Sequence, residues 1–308
     1  MSSSQTIAFK KTHFIVSPLN YTGGKYKLLP QLMPLFPKHI ETAVDLFCGG
    51  ANVGINLKAK NIILNDNLSE LIRLYETLRH TNSGQIFMKI NQIIESFKLS
   101  NSAKYGYEFY QCDSAKGLSA YNKDKFLNLR NRYNTKKNIF DLFVLIIFAF
   151  NNQIRFNSKN AFNLPCGKRD FNKNMQEKLS SFVDILQSKN ITFSNKDFRK
   201  FDIGILDSQS FVYIDPPYLL GTASYNENRA WQEQDERDLL DFLLFLDAEK
   251  IKFAISNVLF HKGKEHRILQ NWLKANPHFK VHFLEFSYKN CNYQTKKADS
   301  KEVLITNY

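Results

Sequence analysis

Residues 42–66, TAVDLFCGGANVGINLKAKNIILND, decide the fold. Thr42, Ala43, Val44, Asp45, Leu46 and Phe47 read as a short buried strand, and Cys48-Gly49-Gly50-Ala51-Asn52-Val53-Gly54 as a glycine-rich turn. A helix is expected over 52–60. Asn61-Ile62-Ile63-Leu64-Asn65-Asp66 then reads as a second strand ending in an acid. Strand, glycine turn, helix and acid-tipped strand form the local pattern of a nucleotide-binding α/β sheet. Gly49 and Gly50 let the backbone approach a ligand closely, and a helix N-terminus behind them favours an anionic group. The turn is neither the GxGxxG of a dinucleotide site nor a P-loop, which ends in GK[ST]. Asp66, about twenty residues beyond Asp45, is placed to accept ribose hydroxyls. Taken alone, the unit indicates an adenosine-containing cofactor.

Outward from this unit the pattern alternates. Residues 68–150 are helical in periodicity, as in Leu68, Leu71, Ile72 and Tyr75. The most apolar run, 139–150, is shorter than a membrane span and reads as a buried helix. Residues 151–170, NNQIRFNSKNAFNLPCGKRD, are polar, basic and punctuated by a Pro and a Gly. A helix is expected over 173–188, then a strand at 191–194 beside Asn195-Lys196-Asp197-Phe198. Residues 211–214 form a further buried strand with Asp215 at its end. A polar loop (219–233), a helix, a strand at 251–256 and a helix near 264–274 follow. Two strands close the chain at about 279–286 and 302–307. Strands alternating with helices predict a mostly parallel, doubly wound sheet. The short link between the closing strands makes one of them antiparallel.

The chain has 308 residues, enough for one large domain or a catalytic domain carrying an inserted smaller one. Its 42 Lys and Arg against 29 Asp and Glu give a net charge of +13. Such a surplus points to a polyanionic partner, because Lys and Arg contacts to phosphates release counterions. A solvated, lysine-rich surface accounts for charge alone equally well. Cys48, Cys112, Cys166 and Cys291 form no CxxC pair and have no His at metal-ligand spacing. No disulfide framework or structural metal is expected, which fits a reducing cytoplasm. The first residues, MSSSQTIAFKK, are polar and basic, so neither a secretion signal nor a membrane segment is expected.

Asp215-Pro216-Pro217-Tyr218 is the most specific signal. A free-standing acid-or-amide, Pro, Pro, aromatic string arises by chance in roughly one chain in a hundred of this length. Here it follows a buried strand, at the sheet edge where open α/β folds bind ligands. An exocyclic amine on a nucleic-acid base is a poor nucleophile because its lone pair is delocalised into the ring. The Asp215 carboxylate and the Pro216 carbonyl can accept its two N–H bonds and free that lone pair. Two prolines stiffen the turn and hold the acceptors in place. Tyr218 offers a face on which an extruded base stacks. The competing reading, a rigid turn after a strand, does not explain an acid and an aromatic at its two ends. A third element, Asn20-Tyr21-Thr22-Gly23-Gly24-Lys25, reads by itself as a surface turn with a lysine behind two glycines.

These three elements, in this order, resemble the Dam-type DNA N6-adenine methyltransferases, the α group of amino-methyltransferases. Tyr21-Thr22-Gly23-Gly24-Lys25 matches the family's [WY]-x-G-G-K, and Asp45-Leu46-Phe47-Cys48-Gly49-Gly50 its D-x-F-x-G-[GS] loop. DPPY matches letter for letter. Arg155-Phe156-Asn157 and Phe162-Asn163-Leu164-Pro165-Cys166-Gly167 look like its R-[YF]-N…F-N-[VL]-P-x-G segment, Asp197-Phe198 like its D-F step, and residues 302–307 like its final strand.

The resemblance implies a Rossmann-like methyltransferase fold with a mixed seven-stranded sheet. Into it is inserted a mainly helical target-recognition domain with a basic β-hairpin near 152–168. Residues 1–69 and 190–308 would be the catalytic domain and 70–189 the recognition domain. S-adenosylmethionine is the implied cofactor. Lys25 would meet its methionine carboxylate, with Tyr21, Gly23, Gly24, Asp45, Phe47, Gly49 and Gly50 lining the pocket. Asp66 would hold the ribose, and Asp197 and Phe198 the adenine. Asp215 would lie between cofactor and target amine, acting with Pro216 and Tyr218. Arg155 would read a base edge, with Asn151, Asn152, Asn157, Lys159 and Lys168 also on DNA.

The implied activity is direct transfer of the methyl group to N6 of an adenine flipped out of double-stranded DNA. The enzyme would be a metal-free, cytoplasmic monomer without a membrane partner, serving as the modification component of a restriction-modification system. A cognate restriction endonuclease would act separately. The alternatives are a solitary methyltransferase, N4-cytosine or RNA adenine methylation by the same DPPY chemistry, and a silent DNA-binding module. Tyr21 stands where members that modify GATC usually carry Trp, and Asn-Asn-Gln-Ile precedes Arg155, so no GATC target is implied.

Overall fold

The first parallel pair is β1 (Thr42–Asp45) and β2 (Asn61–Asn65), in a computed structural model that describes residues 14–221, 231–285 and 300–308. β3 (Ile191–Ser194), β4 (Phe211–Ile214), β5 (Lys252–His261), β6 (Lys264–Glu265), β7 (Lys280–Leu284) and β8 (Ser300–Thr306) complete the sheet. The order is β3-β2-β1-β4-β5-β8-β7, with the two-residue β6 paired to β5. β1 to β5 run parallel to one another, whereas β8 runs antiparallel to both β5 and β7 and β6 antiparallel to β5. The expected mixed seven-stranded sheet is thus present, with β6 as an addition. From β1 the chain winds outward through β2 to β3, then returns to start β4 on the other side of β1. That reversal leaves a crevice beyond the carboxyl ends of β1 and β4, where open α/β sheets bind ligands.

Strand periodicity builds two apolar layers. Ala43, Ile62, Leu64, Phe211, Tyr213 and Leu304 face one side, and Val44, Val212, Ile214, Phe253, Val303 and Ile305 the other. The helices are α1 (Leu29–Leu32), α2 (Ser69–His80), α3 (Ser83–Ser96), α4 (Ser102–Tyr105), α5 (Ser119–Lys136), α6 (Ile139–Phe148), α7 (Lys173–Ser188), α8 (Glu233–Ala248) and α9 (Arg267–Ala275). Buried residues of α2, α3, α5, α6 and α7 join the first layer, and those of α8 and α9 the second. The helical segment therefore shares a core with the sheet. Residues 140–148 of α6 are all buried, as the apolar run predicts. The Asn138 side chain caps this helix, and its one charge, Asp141, is met by Arg132 Nε and Nη2 at 2.8 and 2.5 Å.

Four local expectations need correction. The helix predicted over 52–60 is a single 3-10 turn, Gly54–Asn56. The Asn56 side chain accepts from Ile15 N and donates to the carbonyls of Ile15 and Asn52, serving the incoming N-terminal segment rather than a helix. β5 runs to His261 because β8 pairs along its length. α9 starts at Arg267, since Lys264–Glu265 pair with β5. The basic hairpin is reduced to two isolated bridges, Ala149 with Cys166 and Phe156 with Phe162. Asn151 and Asn152 both adopt left-handed φ (55° and 52°), and Pro165 has no N–H, so no regular ladder forms. The N-terminal stretch 1–13, most of the 219–233 loop and Cys291 lie outside the described residues. Among those residues no helix is long and apolar enough to cross a membrane.

Candidate active site

Asp215 follows β4 directly, at the crevice. Its Oδ1 lies 2.9 Å from Lys25 Nζ, which also reaches Glu302 Oε1 at 3.5 Å and donates to Gly23 O at 2.7 Å. These three acceptors match the three donors of an ammonium. The Tyr218 hydroxyl lies 3.2 Å from Asp215 Oδ1 and 3.1 Å from Glu302 Oε1, and with one proton it donates to one of them at a time. Lys25 Nζ sits 4.9 Å from the centre of the Tyr218 ring. Lys25 and Glu302 are each 5% exposed in the side chain and Asp215 18%, so Asp215 is the open member of the group. Burial pushes the Asp215 carboxyl up from its ordinary value, Lys25 pulls it back down, and Glu302 pushes it up again. Burial opposes the Lys25 ammonium, but Asp215 and Glu302 together hold its pKa above the usual lysine value.

The glycine turn is fixed by acids at the strand ends. Asp66 accepts from Gly49 N and Leu68 N, each at 2.9 Å, and Asp45 accepts from Gly54 N at 2.8 Å. Gly49 has φ +45°, and a Cβ there would stand 2.8 Å from Cδ1 of the Tyr21 ring, so glycine is required on both counts. The buried Tyr75 hydroxyl donates to Gly49 O at 2.5 Å. Asn65 ties the turn to the Asp197 segment, donating to Leu46 O and Lys196 O and accepting from Lys196 N. Burial, together with the charges of Asp215 and Asp66, pushes the Asp45 carboxyl up to about 8 although its bond from Gly54 pulls it down. Beside the turn, Phe47 and Phe198 pack 5.6 Å apart, and Trp231 joins them at 6.0 and 5.9 Å.

The contacts above gather Tyr21, Lys25, Asp45, Phe47, Gly49, Asp66, Phe198 and Asp215 around this crevice. Lys25 reaches a methionine carboxylate only by exchanging one of its three acceptors. Phe198 is 3% exposed, and the Asp197 side chain caps Arg199 N and pairs with the Arg199 guanidinium. Gly24 N donates to Tyr21 O at 3.0 Å, closing the first motif.

The residues assigned to DNA are less gathered. Asn20 joins its N–H to Asn152 O (3.2 Å) and its side chain to Asn151 O (2.9 Å), which fixes that turn beside Tyr21. Arg155 is engaged with Asn163, Asn157 caps the turn through Lys159 N and Ala161 N, and Lys168 Nζ donates to Ala115 O. Lys159 is exposed.

Sequence reasoning assigned no role to Glu302, Tyr75, Trp231 or Glu236. Glu236, fully buried, accepts from Trp231 Nε1 at 2.8 Å and Asn257 Nδ2 at 3.0 Å, and thereby holds the indole against Phe47 and Phe198. An acid in an otherwise apolar closing strand, EVLIT, was the one available signal for Glu302.

Comparison with known proteins points the same way as the site. The chain is 42% identical over 301 residues to the modification methylase StsI of Streptococcus sanguinis, covering 96% of this chain and 43% of that protein. It is 40% identical to the type II methyltransferase M.FokI of Planomicrobium okeanokoites, covering 97% and 44%. It is 29% identical to the modification methylase LlaI of Lactococcus lactis subsp. lactis, covering 95% and 43%. The chain thus spans less than half the length of these relatives. Residues 21–295, from the first motif past DPPY, match the family model of D12 class N6 adenine-specific DNA methyltransferases. With the expected motifs converging on one crevice of the expected sheet, the chain belongs to the D12 class N6 adenine-specific DNA methyltransferase family.

Proposed function

We propose that this chain methylates N6 of an adenine flipped out of double-stranded DNA, with S-adenosylmethionine as the methyl donor. The observation that carries the reading is the Lys25–Asp215–Glu302–Tyr218 group at the crevice of the sheet. Lys25 offsets one of the two carboxylates it bridges, Asp215 and Glu302, and Asp66 lies close by at the glycine turn, so the acids around the crevice suit a ligand with positive charge. S-adenosylmethionine fits it, and when bound supplies an electrophilic methyl group on a sulfonium. Tyr21, Gly23, Gly24, Phe47, Gly49, Gly50 and Asp66 would hold it, with Phe198 and Trp231 backing its aromatic side.

The chain's own part is to make the amine nucleophilic. Lys25 opposes the rise that burial imposes on Asp215 and so favours the ionised carboxylate. That carboxylate and the Pro216 carbonyl accept the two N–H bonds of the amine, and the fixed acceptors stabilise charge developing on nitrogen. Tyr218 provides the face against which the base rests. Asp215 is the nearest acceptor for the proton released afterwards.

We assign recognition to 70–189 and catalysis to 1–69 and 190–308. The names of the relatives, modification methylases and a type II methyltransferase, support a place as the modification component of a restriction-modification system; action in the cytoplasm beside a separately acting endonuclease is part of the same proposal. Incubation with methyl-labelled S-adenosylmethionine and genomic DNA, followed by nucleoside digestion, tests the reading. N6-methyladenine is expected. Label in N4-methylcytosine, or in RNA alone, would overturn the substrate assignment.

A further inference from the structure

A ladder of exposed rings lies in the helical segment, away from the crevice. Tyr105, Phe109 and Tyr121 are 48%, 65% and 40% exposed. Tyr105 stacks on Phe109 at 4.9 Å, Phe109 meets Tyr110 at 5.0 Å, and Tyr110 meets Tyr121 at 4.7 Å. Lys104 and Lys125 sit 4.9 and 3.0 Å from the centres of the Tyr105 and Tyr121 rings.

A buried polar network sets this segment in place. Asp170, fully buried, accepts from Ser100 Oγ at 2.9 Å, Ser102 N at 2.7 Å and Ser102 Oγ at 2.5 Å. The Asn122 side chain, also fully buried, accepts from Ser100 N and donates to Ser100 Oγ, each at 2.8 Å. Satisfied networks of this kind rigidify what they hold, so the rings are presented outward rather than folded into the core.

Beside the ladder is a cleft of about 510 Å³, with Tyr107, Asn152, Arg169, Lys173 and Lys178 in its lining. Arg169 Nη1 donates to the Tyr107 hydroxyl at 3.1 Å, and Leu118 N to Lys168 O at 3.0 Å, joining cleft to ladder. On its other side, Asn152 is the residue bonded to Asn20, next to Tyr21 of the active site. Hydrogen bonds thus link the crevice, through Asn20 and Asn152, to a cleft with three cations in its lining, and that cleft to the segment carrying the rings. Asp170, the acid in the lining, spends its oxygens on the buried network.

We propose that cleft and ladder form one face that grips the DNA duplex flanking the target base, with Arg169, Lys173 and Lys178 on phosphates and the ladder on sugar and base surfaces. Cations interleaved with rings suit a polyanion that also offers flat apolar faces, and the chain as a whole carries +13. The proposal rests on the DNA methyltransferase reading.

The test is binding of the full chain to a fluorescent duplex of 30 base pairs across a salt series, in wild type, Arg169→Ala/Lys173→Ala and Phe109→Ser. Each phosphate contact contributes about 0.9 to the slope of log affinity against log salt, so the double variant should flatten that slope by about 1.8. Phe109→Ser should weaken binding with little change of slope, and both variants should keep wild-type cofactor affinity and thermal midpoint. Lys173→Glu is an independent arm and should weaken binding more than the neutral change. Unaltered slope and affinity in the double variant and Lys173→Glu would overturn the proposal. So would a Phe109→Ser effect on sedimentation of the protein alone with duplex affinity intact, which would mark a protein contact. Label transfer by wild type is read separately: duplex binding that needs this face without any transfer would sink the activity and spare the surface.

Discussion

Replacing Lys25 with methionine keeps the stem and removes the ammonium that Asp215 and Glu302 share. Removing one partner of a buried ion pair costs about 3–5 kcal/mol, since the remaining charge is left unpaired in a poorly solvated place. Asp215 keeps 18% exposure, which puts the expected loss at the lower end, about 3 kcal/mol. Unfolding entropy near 2.1 cal/mol/K per residue, taken over 308 residues, is about 0.65 kcal/mol/K, so the midpoint should fall by about 5 °C at neutral pH. The sign with pH follows from Asp215, whose carboxyl is already raised by burial and is restrained by Lys25. Without Lys25 it rises further. The deficit is therefore largest above the raised folded value, shrinks as pH falls through it, and vanishes below the unfolded carboxyl's value. Adding Glu302→Gln removes one of the two opposed carboxylates and should recover much of the loss, a coupling that a double-mutant cycle reads directly. The acidic limb of the transfer rate should move up in Lys25→Met and down in Glu302→Gln, because these groups push Asp215 in opposite directions. Thermal melts and initial rates over a pH series measure all of this. A Lys25→Met protein within 1 kcal/mol of wild type (by the roughly 3 expected), with no recovery in the double variant, would refute the reasoning.

Asp215→Asn places N–H donors where an acceptor is needed. Single-turnover transfer should drop by at least about a hundredfold with cofactor affinity largely kept, and activity within tenfold of wild type would remove Asp215 from the mechanism. Tyr75→Phe leaves the buried Gly49 carbonyl without its partner and should cost about 1–3 kcal/mol in urea unfolding. It should also raise the cofactor KM without moving the pH profile; an unchanged KM would show that the Gly49 carbonyl has no part in shaping the pocket. Asp45→Asn tests the carboxyl pushed up to about 8. A raised acid holds its proton in the folded state, so wild type loses stability as pH climbs from the unfolded value through 8. The neutral amide, which still accepts from Gly54 N, should be the more stable protein at pH 8 and no better near pH 4 in paired melts; equal midpoints at both would contradict it.

The two halves of the site differ in how far they could be read from sequence, and the reason is physical. Buried parallel strands are short apolar runs, so β3 and β4 appear at the expected residues, and the motif loops follow from the strands that precede them. Helices with a polar cap and a periodic apolar face are equally legible, as α7 is from Asn172 onward. What escaped were features made by side chains meeting from afar. Asn56 replaces a helix by bonding a segment 41 residues earlier, and nothing local announces this. Lys25, in a motif that reads alone as a surface turn, is 5% exposed because Asp215 and Glu302 enclose it. Arg155, assigned to a base edge, is occupied by Asn163 across a hairpin that never forms a ladder.

Glu302 shows why strand direction matters to the chemistry. In β1 to β5 the carboxyl ends share one edge of the sheet, and the glycine turn and DPPY both lie there. A residue near the start of a strand reaches that edge only if the strand runs the other way. β8 does, pairing Leu304 with Ser256 and Glu302 with Val258, beyond the level at which β4 ends. Its first turnward acid therefore meets Asp215 from a position 87 residues later in the chain, and Lys25 joins them from the N-terminal motif. Two carboxylates so close would repel, and the lysine between them makes the arrangement stable enough to persist. The ion group consequently forms only when the closing strand is inserted between β5 and β7, which couples completion of the sheet to the electrostatic state of Asp215.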